Sequence, residues 1–291
     1  MARDSPMADR RVVKPAPIIS ATGSLSMNFD SLLLDIDGTL MLKGQPLPGA
    51  AEALSFARAQ GLRLQLLTNT TAKMPVDLAQ ELCRAGIEVA PDEIQTATTA
   101  CVGYLQQHAQ LKCHLLVPDS IRAAFNGILT DDTNPDVVVI SDIGEAFDYA
   151  TLNRCFRMLR GGARLIALQK NLFWFDHDGE RLDCGAFIVG LEAAAQVQAL
   201  VMGKPSPMFF NAALRKLDTC ASRTLVVGDD VLTDCAGAKA VGASSLLVRT
   251  GKYDPALFDA HRQNVDAVID GIADFPRWWA SGNAADRHDQ R

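Results

Sequence analysis

A short apolar run that ends in two carboxylates constrains this chain more than any other feature. Residues 31–40 read SLLLDIDGTL, so a segment typical of a buried strand is followed at once by Asp35 and Asp37. Burying a carboxylate costs several kcal/mol unless it is paired or bound to a metal. In an open α/β sheet, ligands bind at the carboxyl ends of the strands. The segment therefore predicts a ligand site at this point, although Asp and Gly are also common in ordinary turns.

The segments that follow alternate between helix and strand patterns. Apolar residues recur at helical spacing over 48–60 and 75–84, and the run 62–67 between them is typical of a strand. This order predicts a parallel sheet with helices on both faces. The predicted fold class is therefore α/β, with a Rossmann-like, doubly wound parallel sheet as its core.

The same alternation continues through the rest of the chain. Further strands are predicted at 112–117, 135–140, 163–168, 201–207 (a short strand and turn), 224–228, 244–248 and 265–269. Further helices are predicted at 97–108, 149–159, 185–199, 208–217 and 233–241. Residues 1–27 are polar and predict a disordered extension, and residues 281–291 predict a flexible tail.

The composition excludes several classes of protein. With 291 residues, of which 48% are hydrophobic and 21% charged, the chain is typical of a globular protein with room for two domains. Its net charge of -6 argues against general binding to nucleic acids or anionic membranes. No apolar run approaches the roughly 18 residues of a membrane-spanning helix. The cysteines form no C-x-x-C pair and the histidines have no metal-ligand spacing, which predicts reduced thiols in a cytoplasmic protein.

Polar side chains stand at the ends of several predicted strands or in the turns after them. Because the carboxyl ends of parallel strands meet at one edge of a sheet, we expect these side chains to lie together. They supply carboxylates, hydroxyl and amide groups, and one ammonium. The groups are Asp35 with Asp37, Thr68 with Asn69, Lys204, and Asp229 with Asp234.

This mixture of groups suits phosphoryl transfer assisted by Mg²⁺. Carboxylate oxygens are hard ligands of the kind that Mg²⁺ prefers, and the metal and a lysine neutralise the charge on a phosphate. One carboxylate can attack the phosphorus and form an acyl phosphate that water later hydrolyses. A second carboxyl can protonate the leaving alkoxide and afterwards activate the water.

The same residues resemble the four motifs of the haloacid dehalogenase-like phosphohydrolases. The matching segments, in order along the chain, are DIDGTL at 35–40, LTN at 67–69, GKP at 203–205, and VGDD at 227–230 followed by Asp234. Each motif is short, but the four in this order are jointly specific.

The resemblance implies a role for each charged group. Asp35 would be the nucleophile and a metal ligand, and Asp37 the general acid and base with its carbonyl on Mg²⁺. Lys204 would hold the nucleophile and the phosphoryl group. Asp229 would ligate Mg²⁺, and Asp234 would support the metal site.

Contacts with the phosphate and the rest of the substrate are implied for Thr68 and Asn69, and we expect the neighbouring Thr70 to join them. Many members of the family carry a second Asn where this chain has Thr70. This difference removes no catalytic group. Two interpretations of Asp230 stay open, as support for the metal site or as an acid at a helix N-terminus.

About 130 residues separate Asn69 from Lys204, which is enough for an inserted α/β cap domain and more than a crossover connection needs. We expect the core at 28–95 and 185–280 and the cap at 96–184. This placement resembles the second cap class, subclass A, of the family. Within it, the segments GKP at 203–205 and VRTGKY at 248–253 and the aromatic loop at 169–179 most resemble those of the phospholysine phosphohistidine inorganic pyrophosphate phosphatases and their relatives. A homodimer through the cap is one further hypothesis.

The loop at 169–179 is aromatic and charged. A core with the four motifs can process a phosphate but cannot recognise what carries it, so specificity must come from outside the motifs. We expect this loop to lie over the mouth of the site, where Lys170 would bind substrate and Phe173 and Trp174 would contribute to its choice. The alternative is a β-hairpin tip whose aromatic side chains pack locally or at a dimer contact.

Other functions compete with a Mg²⁺-dependent phosphatase acting on a small phosphorylated substrate. Haloacid dehalogenation is disfavoured, because Asp37 supplies an acid that only an alkoxide leaving group needs. A P-loop kinase and a Rossmann dehydrogenase lack their glycine motifs. A phosphomutase stays open because it shares the phosphoaspartate step. A catalytically silent binding module also stays open, although the full set of acidic and basic groups argues against it.

Overall fold

A computed structural model describes residues 29–176 and 179–286 of the chain. The predicted extension at 1–27 and the end of the predicted tail, 287–291, lie outside these ranges. The last helix continues to Asp286, past residue 281 where the sequence predicted that the tail begins. None of the helices in the described ranges combines the length and the apolar character that crossing a bilayer requires.

Strands and helices alternate along the described chain. The strands are β1 (Ser31–Asp35), β2 (Met41–Leu42), β3 (Gln45–Pro46), β4 (Arg63–Thr68), β5 (Ile94–Thr96), β6 (Cys113–Leu116), β7 (Val137–Ile140), β8 (Arg164–Ala167), β9 (Phe173–Asp176), β10 (Gly179–Leu182), β11 (Leu200–Val201), β12 (Thr224–Gly228), β13 (Ser244–Val248) and β14 (Ala267–Ile269). The α-helices are α1 (Ala50–Ala59), α2 (Pro75–Arg84), α3 (Ala97–Gln107), α4 (Asp119–Arg122), α5 (Tyr149–Arg160), α6 (Cys184–Ala195), α7 (Pro207–Lys216), α8 (Ala236–Val241), α9 (Pro255–Ala260) and α10 (Phe275–Asp286).

Six parallel strands form the core sheet, in the order β14-β13-β12-β1-β4-β5. β1 lies inside the sheet because both of its faces are apolar. Leu32 and Leu34 pack into one hydrophobic cluster with Leu54, and Leu33 packs on the opposite face with Phe209. The sheet extends from β1 to β4 and β5 on one side and from β12 to β14 on the other. This change of direction beside β1 is a topological switch point, and the predicted doubly wound core is confirmed.

A second parallel sheet, β11-β8-β7-β6, forms the inserted cap. α5 and α6 cover one of its faces and α3 covers the other. The predicted end of the cap at residue 184 is wrong, because Ile188 and Leu191 of α6 are buried with Val138 of the cap sheet. β11 also pairs with β8 rather than with the core. The cap therefore extends to Val201.

The aromatic loop at 169–179 includes part of a β-hairpin. β9 and β10 pair in antiparallel register, with Phe173 opposite Leu182. Leu172 and Phe173 are 53% and 52% exposed. The hairpin that the sequence offered as an alternative is therefore present. The side chain of Trp174, which was predicted to influence substrate choice, lies outside the described residues.

A smaller hairpin, β2 with β3, follows the carboxylates at the end of β1. The N–H of Gly38 donates a 2.6 Å hydrogen bond to the carbonyl of Met41 and closes the turn that leads into it. Leu40 and Met41 are buried, so the hairpin starts from the core edge where β1 ends. The sequence analysis did not predict this element, because strands of two residues carry no periodic signal.

Candidate active site

Asp35 is the last residue of β1 and is 4% exposed. Its Oδ1 accepts a 2.5 Å hydrogen bond from the Nζ of Lys204. Within the described part of the chain, its buried Oδ2 has no hydrogen-bond partner. Because a buried polar atom without a partner is costly, this oxygen is available to a ligand or to a reacting phosphorus.

Asp229 and Asp234 follow β12, the strand that pairs with β1. They are 2% and 1% exposed. The Oδ1 of Asp234 accepts a 2.7 Å hydrogen bond from the Nζ of Lys204, so one ammonium joins Asp234 to Asp35. The switch point therefore brings the acidic ends of two neighbouring strands together, as the sequence predicted.

Asp230 has a structural role in the turn after β12. Its Oδ1 accepts hydrogen bonds from the N–H groups of Leu232 and Thr233, at 2.8 and 3.3 Å. These bonds cap the π-helical turn Val231–Cys235, which contains Asp234. The acid at a helix N-terminus is therefore observed. Support for the metal site stays a prediction, and the N–H of Asp230 also donates a 3.2 Å hydrogen bond to the Oδ2 of Asp234.

Asn69 holds the segment that carries Lys204. Its Oδ1 accepts a 2.7 Å hydrogen bond from the N–H of Lys204, and its Nδ2 donates a 3.0 Å bond to the carbonyl of the same residue. The peptide bond between Lys204 and Pro205 is cis. Asn69 therefore acts on Lys204 in this structure, and its contact with a substrate stays a prediction.

The predicted general acid and base lies nearer to solvent than the other carboxylates. Asp37 is exposed, and its Oδ2 accepts a 3.4 Å hydrogen bond from the hydroxyl of Thr68, which is buried. The N–H of Thr70 donates a 3.0 Å bond to the same hydroxyl oxygen. Thr68 thus connects the ends of β1 and β4, and an exposed Asp37 can reach both a leaving group and water.

Burial is the largest influence on the pKa values of the carboxyl groups of Asp35, Asp229 and Asp234. It raises all three pKa values because it disfavours the charged form. The pKa of Asp229 rises to about 8 and that of Asp234 to about 7. Burial lowers the pKa of Lys204, but the carboxylates of Asp234 and Asp35 outweigh it and hold that pKa above its usual range. Lys204 is therefore charged. When all three carboxyl groups ionise, one ammonium leaves an excess of negative charge that a cation would offset.

The same three carboxylates fit a divalent cation. Asp35, Asp229 and Asp234 each offer one oxygen, and these atoms lie within 4.8 Å of one another. The donors are hard oxygens, which suit Mg²⁺. The partnerless Oδ2 of Asp35 supports this fit. Asp37, which was predicted to contribute its main-chain carbonyl, is not in this carboxylate group, and its metal contact stays a prediction.

Lys170 lies in the cap, and its ammonium group is paired with a neighbouring carboxylate. Its Nζ forms a 2.6 Å ion pair with the Oε2 of Glu192 on α6. It follows Leu168 and Gln169 at the end of β8, and a Cβ on Gly203 would lie 2.9 Å from the carbonyl oxygen of Leu168. The segment thus starts beside the core motifs, but binding of substrate by Lys170 stays a prediction.

One group of residues at the site was not singled out for a role in the sequence analysis. The loop after β13 contains Thr250, Gly251 and Lys252, and the N–H of Lys252 donates a 2.6 Å hydrogen bond to the Oδ2 of Asp229. The position of this loop in the predicted sheet could have indicated its place at the site. β13 is parallel to β12 and ends at the same edge of the sheet, so the residues after it belong to the same site.

Fold and site together define the class of this protein: it is a phosphatase of the haloacid dehalogenase type, with an α/β cap inserted between the second and third motifs. A family model described as haloacid dehalogenase-like hydrolase matches residues 32–128, and a second one, described as HAD-hydrolase-like, matches residues 201–275. The two matches include the four motifs.

The chain belongs to the haloacid dehalogenase-like hydrolase family. Over 226 residues it is 39% identical to haloacid dehalogenase-like hydrolase domain-containing protein 2 of Mus musculus, which covers 78% of this chain and 86% of the relative. It is 34% identical over 264 residues to phospholysine phosphohistidine inorganic pyrophosphate phosphatase of Bos taurus, with coverages of 88% and 96%. The crystal structure of 4-nitrophenylphosphatase from Thermotoga maritima matches with a TM-score of 0.79 and 25% identity, over 86% of this chain and 97% of that one.

Proposed function

We propose that this protein hydrolyses a small phosphorylated metabolite, pyrophosphate or a phosphoamidate, with Mg²⁺ as cofactor and a phosphoaspartate on Asp35 as intermediate. The observation that carries the proposal is the contact of one buried ammonium, Lys204, with both Asp35 and Asp234. The names of the bovine and Thermotoga maritima relatives support this range of substrates.

In the first half-reaction, a carboxylate oxygen of Asp35 attacks the phosphorus, and the bond from phosphorus to the leaving group breaks. Asp37 donates its proton to the leaving group. Lys204 holds Asp35 through Oδ1 at 2.5 Å and thereby fixes the orientation of the carboxylate. Asp35, Asp229 and Asp234 would hold Mg²⁺, which when bound offsets the negative charge of the phosphate.

In the second half-reaction, the carboxylate of Asp37 takes a proton from water, and the resulting hydroxide attacks the phosphorus of the acyl phosphate. The bond between phosphorus and Asp35 breaks, so inorganic phosphate leaves and the Asp35 carboxylate is restored. The exposure of Asp37 supports both of its roles, because solvent and a bound substrate can both reach its carboxyl group.

Hydrolysis of 4-nitrophenyl phosphate is expected to require Mg²⁺. Excess EDTA should abolish release of nitrophenolate, because no cation would then offset the negative charge of the phosphate beside Asp35, Asp229 and Asp234, and added Mg²⁺ should restore it. Release of inorganic phosphate is measured in parallel on a panel of phosphorylated metabolites, pyrophosphate and phosphoamidates. Full activity in excess chelator would overturn the metal assignment, and transfer within the substrate without phosphate release would indicate a mutase.

The metal-free protein is expected to lose stability as the pH rises from about 4 to about 8. The pKa of Asp229 is about 8 in the folded state against an ordinary value of 3.8, so between these values the folded state binds a proton that the unfolded chain has released, and raising the pH favours unfolding. Mg²⁺ needs the ionised carboxylates, so its stabilising effect should grow over the same interval.

Unfolding temperatures measured between pH 5 and pH 8, in EDTA and in Mg²⁺, check this expectation. Asp229→Asn removes one of the titrating groups, and it should make the pH dependence in EDTA less steep and reduce the shift that Mg²⁺ produces. An equally steep dependence in Asp229→Asn would show that other groups cause it.

A further inference from the structure

The loop at 250–254, after β13, lies outside the four motifs and donates two hydrogen bonds to residues of the site. The Oγ1 of Thr250 donates a 2.5 Å hydrogen bond to the carbonyl of Gly38, in the turn that follows β1. Two residues later, the N–H of Lys252 donates a 2.6 Å bond to the Oδ2 of Asp229. One loop therefore ties the turn beside Asp37 to the carboxylate at the end of β12.

The space between this loop and Asp229 has no room for a side chain. A Cβ on Gly251 would lie 1.9 Å from the Oδ2 of Asp229 and 2.5 Å from the Cα of Gly38. A Cβ on Gly38 would also lie 1.9 Å from that oxygen. Both glycines have positive φ, 55° and 100°, which other residues adopt with strain. The carboxylate is thus enclosed by two glycines, and this close approach lets the N–H of Lys252 reach it.

Both ends of the loop are anchored away from Asp229. Before it, the N–H of Arg249 donates to the carbonyl of Ile269 on β14. After it, the ring of Tyr253 packs against Phe258, with 6.1 Å between the centroids, and Asp254 caps α9. Because these anchors do not involve the carboxylates, the loop can impose a geometry on Asp229.

We propose that Thr250, Gly251 and the main chain of Lys252 form a positioning loop that sets the orientation of Asp229 toward the divalent cation. This inference rests on the proposed function, because the orientation of Asp229 matters to the reaction only if a metal is used. Groups that orient a metal ligand typically account for about 10- to 100-fold in metal affinity. The side chain of Lys252 is 66% exposed and its Nζ lies 3.8 Å from the Oδ2 of Asp230, so the contact with Asp229 is made by the main chain alone.

Thr250→Val tests the loop with little change in shape, because it removes the hydroxyl that binds Gly38. We expect about 10-fold more Mg²⁺ to be needed for half-maximal phosphatase activity, with the KM for 4-nitrophenyl phosphate nearly unchanged. We expect the same change in the Mg²⁺ concentration that gives half of the thermal shift of the free protein. Thr250→Ser keeps the hydroxyl and should restore both Mg²⁺ responses.

Thr219→Val is the matched control. Thr219 donates a 2.8 Å hydrogen bond to Asp30 at the opposite edge of the same sheet, so this variant also loses a threonine hydroxyl bond. It should unfold at a lower temperature but respond to Mg²⁺ as the wild type does. If Thr250→Val also lowers only the unfolding temperature, with a wild-type Mg²⁺ response, the loop is merely structural and the inference is wrong.

Gly251→Ala gives an independent test, because its methyl group would displace the Asp229 carboxylate itself. It should weaken the Mg²⁺ response at least as much as Thr250→Val, and an unchanged response would overturn the inference. Failure of the proposed function gives a different result. In that case the wild type itself shows neither chelator sensitivity nor a Mg²⁺-induced thermal shift.

Discussion

Asp35→Asn is expected to lower the turnover of 4-nitrophenyl phosphate by roughly 10⁴-fold or more. An amide is a poor nucleophile and a poorer metal ligand than a carboxylate, and Asp35 contributes to both functions through one buried side chain. Phosphate release in the steady state measures the effect. A variant that keeps the wild-type rate would show that Asp35 is not the nucleophile.

Asp30→Asn is the control, since Asp30 immediately precedes the strand that Asp35 ends. Asp30 forms ion pairs with Arg63 and Arg223, at 2.9 and 3.1 Å, at the edge of the sheet remote from the site. This variant should lose stability while its turnover stays close to that of the wild type.

A second variant, Asp37→Asn, tests on which residue the covalent intermediate forms. Asp37→Asn should slow both half-reactions by about 10² or more, because it removes the acid and base that both steps use. Acid quenching followed by mass spectrometry should then find the phosphoryl group on Asp35, and a beryllofluoride adduct should form on the same residue. An adduct on another residue would contradict the assignment.

Lys204→Met is expected to abolish turnover and to lower the free energy of unfolding by about 3–5 kcal/mol at pH 8. The variant leaves Asp35 and Asp234 buried without the ammonium group that both contact in the wild type. The loss should be smaller near pH 5. Burial already raises the pKa of both carboxyl groups, and loss of the cation raises it further, so at low pH they accept protons in the folded state and the uncompensated charge disappears.

Denaturant unfolding of metal-free protein at pH 5 and pH 8 measures this difference. Lys239→Met supplies the comparison, because Lys239 is an exposed lysine on α8 and its replacement should change stability by no more than about 0.5 kcal/mol. A loss in Lys204→Met that is equally large at both pH values would mean that lost packing, rather than unpaired charge, destabilises the variant.

The cap shows where sequence patterns stop being informative. The pattern over 185–199 predicts a helix, and α6 is present, but the pattern does not say which sheet the helix covers. Its Ile188 and Leu191 are buried in the cap. Apolar periodicity specifies that a face is buried and not what buries it, which is why the predicted boundary at 184 was wrong.

The loop at 250–254 shows a related difficulty. No charge and no spacing marks Thr250 or Gly251 as part of the site. Their role depends on a main-chain N–H and on the absence of a Cβ beside Asp229, neither of which a pattern of residue types can express.

By itself, the sequence determined the parallel α/β core and the chemical groups of the site. Buried apolar strands that end at Asp or Thr permit few arrangements, and parallel strands bring their ends to one edge. Only the tertiary structure decided how those groups are used. It placed Lys204 between Asp35 and Asp234, turned Asn69 toward the main chain of Lys204, and made Asp230 a helix cap. A hydrogen bond depends on the angle at the donor hydrogen and on a donor–acceptor distance that is set to within a few tenths of an ångström. Such distances and angles arise from the packing of the whole chain rather than from the order of residues within a motif.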